Sequence, residues 1–513
     1  MEPTTWTNWP WSSHSLATGR RSAVLCVLVL ISGCSPPATS ISTPDTSAAT
    51  PVSATRPPDS TSSIAGGRLT AVGGTEPLPK DHAAGEDWAA FLGPRGDGTA
   101  RERPLDPELW QPGPPLLYSL DLGTSYGGPA ITDRYLFQFC RYGDQERLTC
   151  YDVRNGTPLW HRQQPVTYDD MYGYNNGPRC MPIVDEDLVF TYGVAGRLTC
   201  YRVRDGEIVW TRDINAEYGV VPNFFGVAST PRIHNDLLLV MVGGSPADSQ
   251  HVPPGRLDLV RPNGSAIVAF DKRTGEEIYR VGNDLASYSA IIVRRLTDHT
   301  MGLAFLRNGL LAWEVESGQE LFHFPWRSSK LESVNAATPV TFDEHILLSE
   351  AYEIGSVLLR VVDDQPRVVW QDHGPLREHA FRAHWATPIA IDGYLYGCSG
   401  RNQPDADFRC VRLADGQVQW FDRRHERSTL ILVDGYLIVW GELGNLELVR
   451  PSPDQLQVVR SVDLHELIDP RDGRPLLSAP CWAPPVLSHG RLFLRGRNKL
   501  ACFRLIPQPE VTD

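Results

Sequence analysis

A hairpin that recurs along the chain constrains the fold more than any other feature of the sequence. In the copy Gly196–Trp210, apolar and polar residues alternate on both sides of the turn pair Asp205-Gly206. Alternation with a period of two indicates a half-buried strand, and Asp-Gly is a typical hairpin turn. Further copies occupy 148–160, 267–279, 311–322 and 409–420, and a degraded copy ends at Trp370.

Most copies end at a large aromatic residue, and the spacing of these residues predicts the architecture. The aromatic positions are separated by 50, 69, 43, 48 and 50 residues. Periods of this size built from short strands are typical of β-propeller blades. We expect the aromatic residues to wedge between neighbouring blades. The predicted wedge residues are Trp160, Trp210, Tyr279, Phe322, Trp370 and Trp420, together with Tyr118, which has the matching position in the early strand 115–122.

A second hairpin precedes each copy, so that each repeat contains four strands and forms one blade. The predicted blades span 124–162, 178–212, 227–281, 287–326, 335–371, 384–421 and 428–460, and three further strands lie within 481–505. The lone strand 115–122 is expected to complete the last blade and to close the ring. The sequence thus predicts an all-β propeller of eight four-stranded blades, with seven as the alternative.

Two details of this assignment depend on weaker patterns. Blade three contains an insertion, 243–262, and blade seven has lost the turn glycine and the aromatic residue, with Val458 in the aromatic position.

The stretch 87–98, which precedes the blades, is rich in Gly and Pro and is expected to be a loop that packs Trp88 and Phe91. Removal of the chain up to about residue 110 is expected to leave the propeller folded.

The N-terminus has the features of an export signal. Arg20-Arg21 precede the apolar run 23–31, which is too short to span a membrane as a helix. Ile31-Ser-Gly-Cys34 resembles a bacterial lipobox, which implies cleavage before Cys34 and attachment of lipid to its thiol. Ordinary cleavage with an incidental Cys34, or an anchored first helix, are the alternatives.

These features give the predicted domain organisation. A lipoprotein signal peptide covers 1–33, a Ser/Thr/Pro-rich tether that cannot bury a core covers 34–86, the propeller covers 87–507, and a tail covers 508–513. The predicted location is the periplasmic face of the cell envelope. Ser35, rather than the Asp of an inner-membrane retention signal, follows Cys34, and this favours the outer membrane.

Composition excludes some partners and suggests oxidised cysteines. A net charge of −13 argues against nucleic acid and against electrostatic binding to an anionic membrane. Eight cysteines follow Cys34, and an even number in an exported chain suggests disulfides. The pairs Cys140–Cys150 and Cys398–Cys410 each lie within one hairpin and are the disulfide candidates. Cysteine and histidine spacings typical of metal or haem sites are absent.

The hairpin frame resembles the docking motif of a known family. Ala269, Asp271, Thr274 and Gly275 match Ala-x-Asp-x-x-Thr-Gly, the motif of quinoprotein-dehydrogenase-like propellers with PQQ-like repeats. The resemblance extends over about 115–505 and implies the propeller fold. Together with the lipobox, the chain resembles outer-membrane assembly lipoproteins of the BamB type. The quinoprotein enzymes of this fold carry adjacent cysteines and a calcium-binding carboxylate set, neither of which is identifiable here.

Two functions are consistent with these features. The first is a monomeric scaffold that binds envelope proteins or peptides, without catalytic residues, metal or cofactor. The alternative is a quinoprotein-type oxidoreductase, or a protein that binds a sugar or cofactor in the central funnel. For the alternative, the loops that precede the inner strands supply the candidate lining, although each residue could simply pack the channel. These residues are Tyr126, Asn176, Arg179, Asn223, Phe225, Tyr288, Asn335, Arg382, His384 and Trp482.

Overall fold

The computed structural model describes residues 85–111 and 113–506. This part of the chain forms eight separate sheets that follow one another along the sequence, each built from four antiparallel strands, which confirms the eight-bladed propeller. The predicted signal peptide, Cys34, nearly all of the tether and the C-terminal tail lie outside the described residues.

The strands follow the predicted repeats closely. Two strands precede the first complete blade, β1 (Thr99–Ala100) and β2 (Leu116–Asp121). Blades one and two contain β3 (Ala130–Ile131), β4 (Tyr135–Tyr142), β5 (Gln145–Asp152), β6 (Pro158–Pro165), β7 (Ile183–Asp185), β8 (Leu188–Tyr192), β9 (Arg197–Arg202) and β10 (Ile208–Asp213). Blades three and four contain β11 (Arg232–His234), β12 (Leu237–Met241), β13 (Ile267–Asp271), β14 (Glu277–Val281), β15 (Ile292–Leu296), β16 (His299–Phe305), β17 (Gly309–Glu314) and β18 (Glu320–Pro325).

The second half of the ring repeats this arrangement. Blades five and six contain β19 (Val340–Phe342), β20 (His345–Glu350), β21 (Gly355–Val362), β22 (Gln365–Gln371), β23 (Ile389–Ile391), β24 (Tyr394–Ser399), β25 (Asp407–Arg412) and β26 (Val418–Asp422). Blade seven contains β27 (Ser428–Val433), β28 (Tyr436–Gly441), β29 (Asn445–Arg450) and β30 (Gln457–Asp463). Blade eight contains β31 (Val486–Ser488), β32 (Arg491–Arg495) and β33 (Lys499–Arg504), together with β2.

Helical segments are few and short. The α-helix α1 (Ile214–Tyr218) follows blade two, and Asp213 caps its N-terminus. Single 3₁₀ turns occupy Pro107–Trp110, Ala247–Ser249, Leu257–Leu259, Leu376–Glu378 and Gln403–Asp405. In residues 85–111 and 113–506, no helix has the length and apolar character required to cross a membrane.

The ring closes through the two ends of the folded chain. Strand β2 pairs antiparallel with β33, with Ser119 opposite Ala501. The first long strand therefore becomes the outer strand of the last blade, as predicted. This pairing covers an edge that would otherwise be open to other chains.

Aromatic residues of the outer strands connect each blade to the next. In six of these residues the ring N–H or O–H donates to a carbonyl in the following blade, at 2.7–3.0 Å. The Trp160 indole, for example, donates to the Val203 carbonyl at 2.9 Å. Phe322 has no donor and is held by apolar packing alone. The hydrogen bond satisfies the polar atom of a ring whose body is buried.

Steric contact with the preceding blade explains why glycine recurs in the turn of the repeat. Gly206 has a φ of 71°, which favours glycine, and a Cβ there would lie 2.5 Å from the Trp160 ring. The ring of one blade therefore packs directly against the turn of the next, which explains why the aromatic residue and the glycine recur together.

Blade seven departs from this pattern, and the sequence assignment of its aromatic position was wrong. Each outer strand contains a β-bulge, and the residue after it faces the next blade. The register places Arg460, not Val458, opposite Leu448, where blade six has Trp420 opposite Cys410. The missing ring is compensated by Trp110, which is 1% exposed and packs in the apolar cluster shared by blades seven, eight and one.

Residues 85–110, the leading segment, occupy one end of the central channel. Strand β1 pairs in parallel with β27, and the backbone of Trp88 bonds to that of Ile131 at 2.9 and 3.0 Å. Two further carbonyl groups of the segment accept hydrogen bonds, that of Ala89 from Val184 N and that of Pro94 from the Arg232 guanidinium. Because one short segment contacts the first strands of several blades, these strands surround a common channel.

The leading segment is thus an integral part of the fold, which corrects the expectation that residues up to 110 are dispensable. It contacts the turns that follow the first strands: Leu105 N bonds to the Asp434 carboxylate, and Glu102 accepts from His489 N and Gly490 N. The other end of the channel, where each first strand begins, is referred to below as the mouth.

Neither predicted disulfide is present, and all eight cysteines at positions 140–502 are buried free thiols. The strand register explains this. Cys150 lies opposite Phe137, three residues from Cys140, and Cys410 lies opposite Tyr396, two residues from Cys398. At roughly 3.3 Å per residue along a strand and about 4.8 Å between strands, both Cα separations exceed the limit of about 7 Å for a disulfide.

Candidate functional site

The mouth of the channel is lined by aromatic rings from loops that are distant in sequence. Tyr126 and Trp482 are 4.8 Å apart between ring centroids, and Trp482 lies 5.7 Å from Trp385. The contacts continue through His384 to Tyr352 at 5.5 and 5.6 Å. Tyr352 and Phe224 belong to one apolar cluster, and Phe224 contacts Phe225.

Residues 166–179, the cap loop, extend across this mouth. The Tyr174 ring contacts both Trp482, which precedes blade eight, and Phe225, which precedes blade three. The Tyr172 ring also contacts Phe225, at 5.6 Å. Met171, Tyr172 and Tyr174 are nevertheless 44%, 44% and 56% exposed. The cap loop therefore covers the mouth with rings that present one side to solvent.

A buried ion pair holds the cap loop in place. The Arg179 guanidinium contacts the Asp170 carboxylate at 2.5 Å, and their side chains are 7% and 0% exposed. The other Asp170 oxygen accepts from the backbone N–H groups of Tyr172 and Tyr174 at 3.0 and 3.1 Å. One carboxylate thus orients both exposed rings, and Arg179 neutralises its charge.

Other charges at the mouth are also paired or stacked. Arg427 Nε donates to Glu442 at 2.7 Å, and its guanidinium lies 4.5 Å from the Trp385 ring centroid. The Trp482 indole donates to the same carboxylate at 2.8 Å. The Arg401 guanidinium lies 4.1 Å from the Tyr352 ring centroid. These contacts hold the rings in place.

Two titratable groups at the mouth have shifted pKa values. Burial, together with repulsion from Arg427 and Arg401, lowers the pKa of His384 to about 3, so the imidazole is neutral at physiological pH. Burial raises the pKa of Glu350 to about 7, although Ser333 Oγ and Tyr352 N donate to the carboxylate. His384 is thus too weak a base to accept a proton near neutral pH.

The ten residues expected to line the funnel separate into three groups. Tyr126, Phe225, Tyr288, His384 and Trp482 lie together among the aromatic rings. Arg179 and Asn176 belong to the cap loop and support its backbone. The remaining residues bind neighbouring protein groups: Asn223 accepts from Phe224 N, Asn335 donates to Leu306 O, and Arg382 forms two bonds with Asp405.

Several residues of the mouth were not among the candidates from the sequence. Trp385 follows His384 directly, and its position in the same loop was a usable signal. Tyr172 and Tyr174 lie in a run of Tyr, Gly and Asn that has no strand pattern, and an exposed loop rich in aromatic residues is itself a signal. Tyr352 follows a second strand, whereas the candidates were taken only from loops that precede first strands.

Comparison with known proteins assigns the chain to a family. The family profile described as outer membrane protein assembly factor BamB matches residues 112–212 and 144–452, which together exceed half of the chain. The chain belongs to this family. No curated protein sequence matches it.

Solved structures support the same fold at low sequence identity. BamB from Moraxella catarrhalis is similar with a TM-score of 0.50 and 12% identity, over 78% of this chain and 98% of that one. A quinohemoprotein alcohol dehydrogenase from Comamonas testosteroni is similar with a TM-score of 0.57 and 10% identity, over 84% and 83% of the two chains. At these identities the likeness establishes the fold alone.

In the described ranges, no group of three or more His, Cys, Asp or Glu side chains could hold a cation beside a quinone cofactor. Arg179 and Arg427, whose guanidinium groups could bind quinone carboxylates, are already paired with Asp170 and Glu442.

Proposed function

We propose that this protein is an exported, lipid-anchored scaffold that binds other envelope proteins through its mouth and takes part in outer-membrane protein assembly. Family membership and the cap loop support this proposal. The observation that carries it is the set of exposed side chains Met171, Tyr172 and Tyr174 on a loop fixed by a buried ion pair. Exposed aromatic residues on a rigid support are typical of binding hot spots.

A photo-crosslinking experiment in cells tests the binding surface. A photoreactive amino acid in place of Tyr174 is expected to capture envelope proteins, whereas the same amino acid in place of the exposed Val209, on the rim of blade two, captures none of them. Capture is expected to require the ion pair, so that Asp170→Asn abolishes it. Identical products from positions 174 and 209 would remove the support for a partner at the mouth.

Fractionation tests the anchor separately. The full chain is expected in the membrane fraction, and Cys34→Ser is expected to release it into the soluble periplasmic fraction. Recovery of the Cys34→Ser variant in the membrane at the level of the unaltered chain would contradict lipid anchoring.

A further inference from the structure

A second groove lies between the outer parts of blades six and seven, separate from the aromatic mouth. Its volume is about 760 Å³, within the range of roughly 300–1,000 Å³ for ligand sites. It is lined by carboxylates, an imidazole and aliphatic side chains, which include Glu426, Glu447, Asp463, His425, Leu443 and Val458.

Two carboxylates of the groove have no cationic partner within the described residues. Glu426 and Asp463 form no ion pair and accept only backbone N–H groups, such as that of Leu443 on Glu426 at 2.6 Å and that of His465 on Asp463 at 2.9 Å. The third carboxylate, Glu447, is already hydrogen-bonded to the His425 imidazole at 2.6 Å and to the Asn445 amide at 3.1 Å.

An arginine also lines the groove, and it is paired with a carboxylate outside the lining. Nε of Arg424 lies 3.0 Å from the Asp422 carboxylate. Burial, and then repulsion from Glu442 and Asp463, raises the pKa of Glu426 even though two backbone N–H groups oppose the shift. A bound cation would remove this repulsion.

Apolar side chains and a free strand edge flank these carboxylates. Leu443 is 54% exposed and Val458 is 42% exposed. Val458 belongs to β30, the outermost strand of blade seven, and no strand in the described chain pairs with its outward edge. Extended peptides bind such edges by continuing the sheet, with alternate side chains directed to one face.

We propose that this groove binds an extended peptide segment of a partner protein in which basic and aliphatic side chains alternate. The ammonium or guanidinium groups bind Glu426, Glu447 and Asp463, and the aliphatic side chains pack on Leu443 and Val458. This site is distinct from the cap loop, and it gives the scaffold a second, charge-selective contact.

The direct test measures binding of a short fluorescent peptide of alternating valine and lysine to the full chain in detergent, by fluorescence anisotropy. The combined variant Glu426→Gln, Glu447→Gln and Asp463→Asn is expected to bind at least about tenfold more weakly. The matched control Glu276→Gln, Glu320→Gln and Asp298→Asn removes the same charge from exposed positions on blades three and four and is expected to bind normally. Thermal melting checks that both variants are folded.

Three results would overturn the proposal. The first is equal affinity of the groove variant and the control. The second is that a peptide of alternating valine and glutamate binds as tightly as the valine–lysine peptide. The third is that a peptide of alternating serine and lysine also binds as tightly, while Leu443→Ser leaves the affinity for the valine–lysine peptide unchanged. The double variant Tyr172→Ser and Tyr174→Ser is expected to keep peptide binding, so that failure of this site and failure of the proposed mouth site are distinguishable.

Discussion

The Arg460 guanidinium donates to the Glu108 carboxylate at 2.7 Å and so connects the outer strand of blade seven to the leading segment. Glu108 is 74% exposed at its side chain, and an ion pair of this kind contributes at most about 1 kcal/mol. Trp110, two residues away, is 1% exposed. The burial of this ring, rather than the ion pair, accounts for most of the stability of the contact.

Substitutions at these two positions separate the contributions. Trp110→Ala is expected to lower the free energy of unfolding by about 3–5 kcal/mol because it leaves a large cavity. Glu108→Gln is expected to lower it by less than about 1 kcal/mol. Urea unfolding of both variants measures the difference. Similar small effects from both would show that Trp110 does not replace the missing aromatic residue of blade seven.

Truncations test the role of the leading segment. Removal of residues 1–84 leaves every described contact intact and is expected to preserve the melting temperature. Removal of 1–110 eliminates Trp88, β1 and Trp110 and is expected to lower it by several degrees at least. Removal of 1–123 also eliminates β2 and is expected to cause aggregation, because β33 becomes an open edge. Gel filtration and thermal melting distinguish the three outcomes.

Glu350 is expected to make stability depend on pH. Its pKa is about 7 in the folded protein and about 4.3 in an unfolded chain. Between these values the folded state binds more protons, so its stability decreases as pH rises from about 4 to about 7, by at most about 4 kcal/mol. Glu350→Gln is expected to remove this decrease, and the exposed control Glu353→Gln is expected to keep it. Urea unfolding at several pH values measures both, and parallel curves would contradict the prediction.

Addition of pyrroloquinoline quinone with calcium tests the expected absence of this cofactor. No shift in melting temperature and no change in the quinone absorbance are expected, because Arg179 and Arg427 are already paired with carboxylates. A saturable stabilisation of several degrees would contradict this expectation. The variant Trp482→Ala, which opens the mouth, serves to show whether ring packing alone excludes the cofactor.

The repeating part of the fold was predictable because it depends on local patterns. The turn of Asp205-Gly206 and the following Trp210 satisfy backbone and packing requirements within one blade and the next. The same logic assigned β2 to the last blade, since its Tyr118 matches the aromatic position. These features require only the period of the sequence and the chemistry of turns.

Features that depend on register or on distant contacts were not predictable. The turn of blade seven is two residues longer than that of blade six, because Leu448 pairs with Arg460 where Cys410 pairs with Trp420. The aromatic position therefore falls at Arg460 and not at Val458. The disulfide predictions failed because of strand register. Two cysteines in the same hairpin are not necessarily opposite each other on the paired strands. At the mouth, five candidates lie among the rings, but the cap loop crosses the channel through contacts between residues about 300 positions apart, as in Tyr174 and Trp482.

The location of the leading segment has a consequence for the order of folding. The part of the propeller that emerges first during synthesis or export lies at the centre of the ring, and β2 must wait for β33, which is made last. Contacts that join the two ends of a chain form slowly, because a long loop must close before they are made. The earlier blades can therefore assemble around the segment as a curved, unclosed array with exposed strand edges. That open form persists until β33 is available to pair with β2, so the time at which the C-terminus appears sets its lifetime.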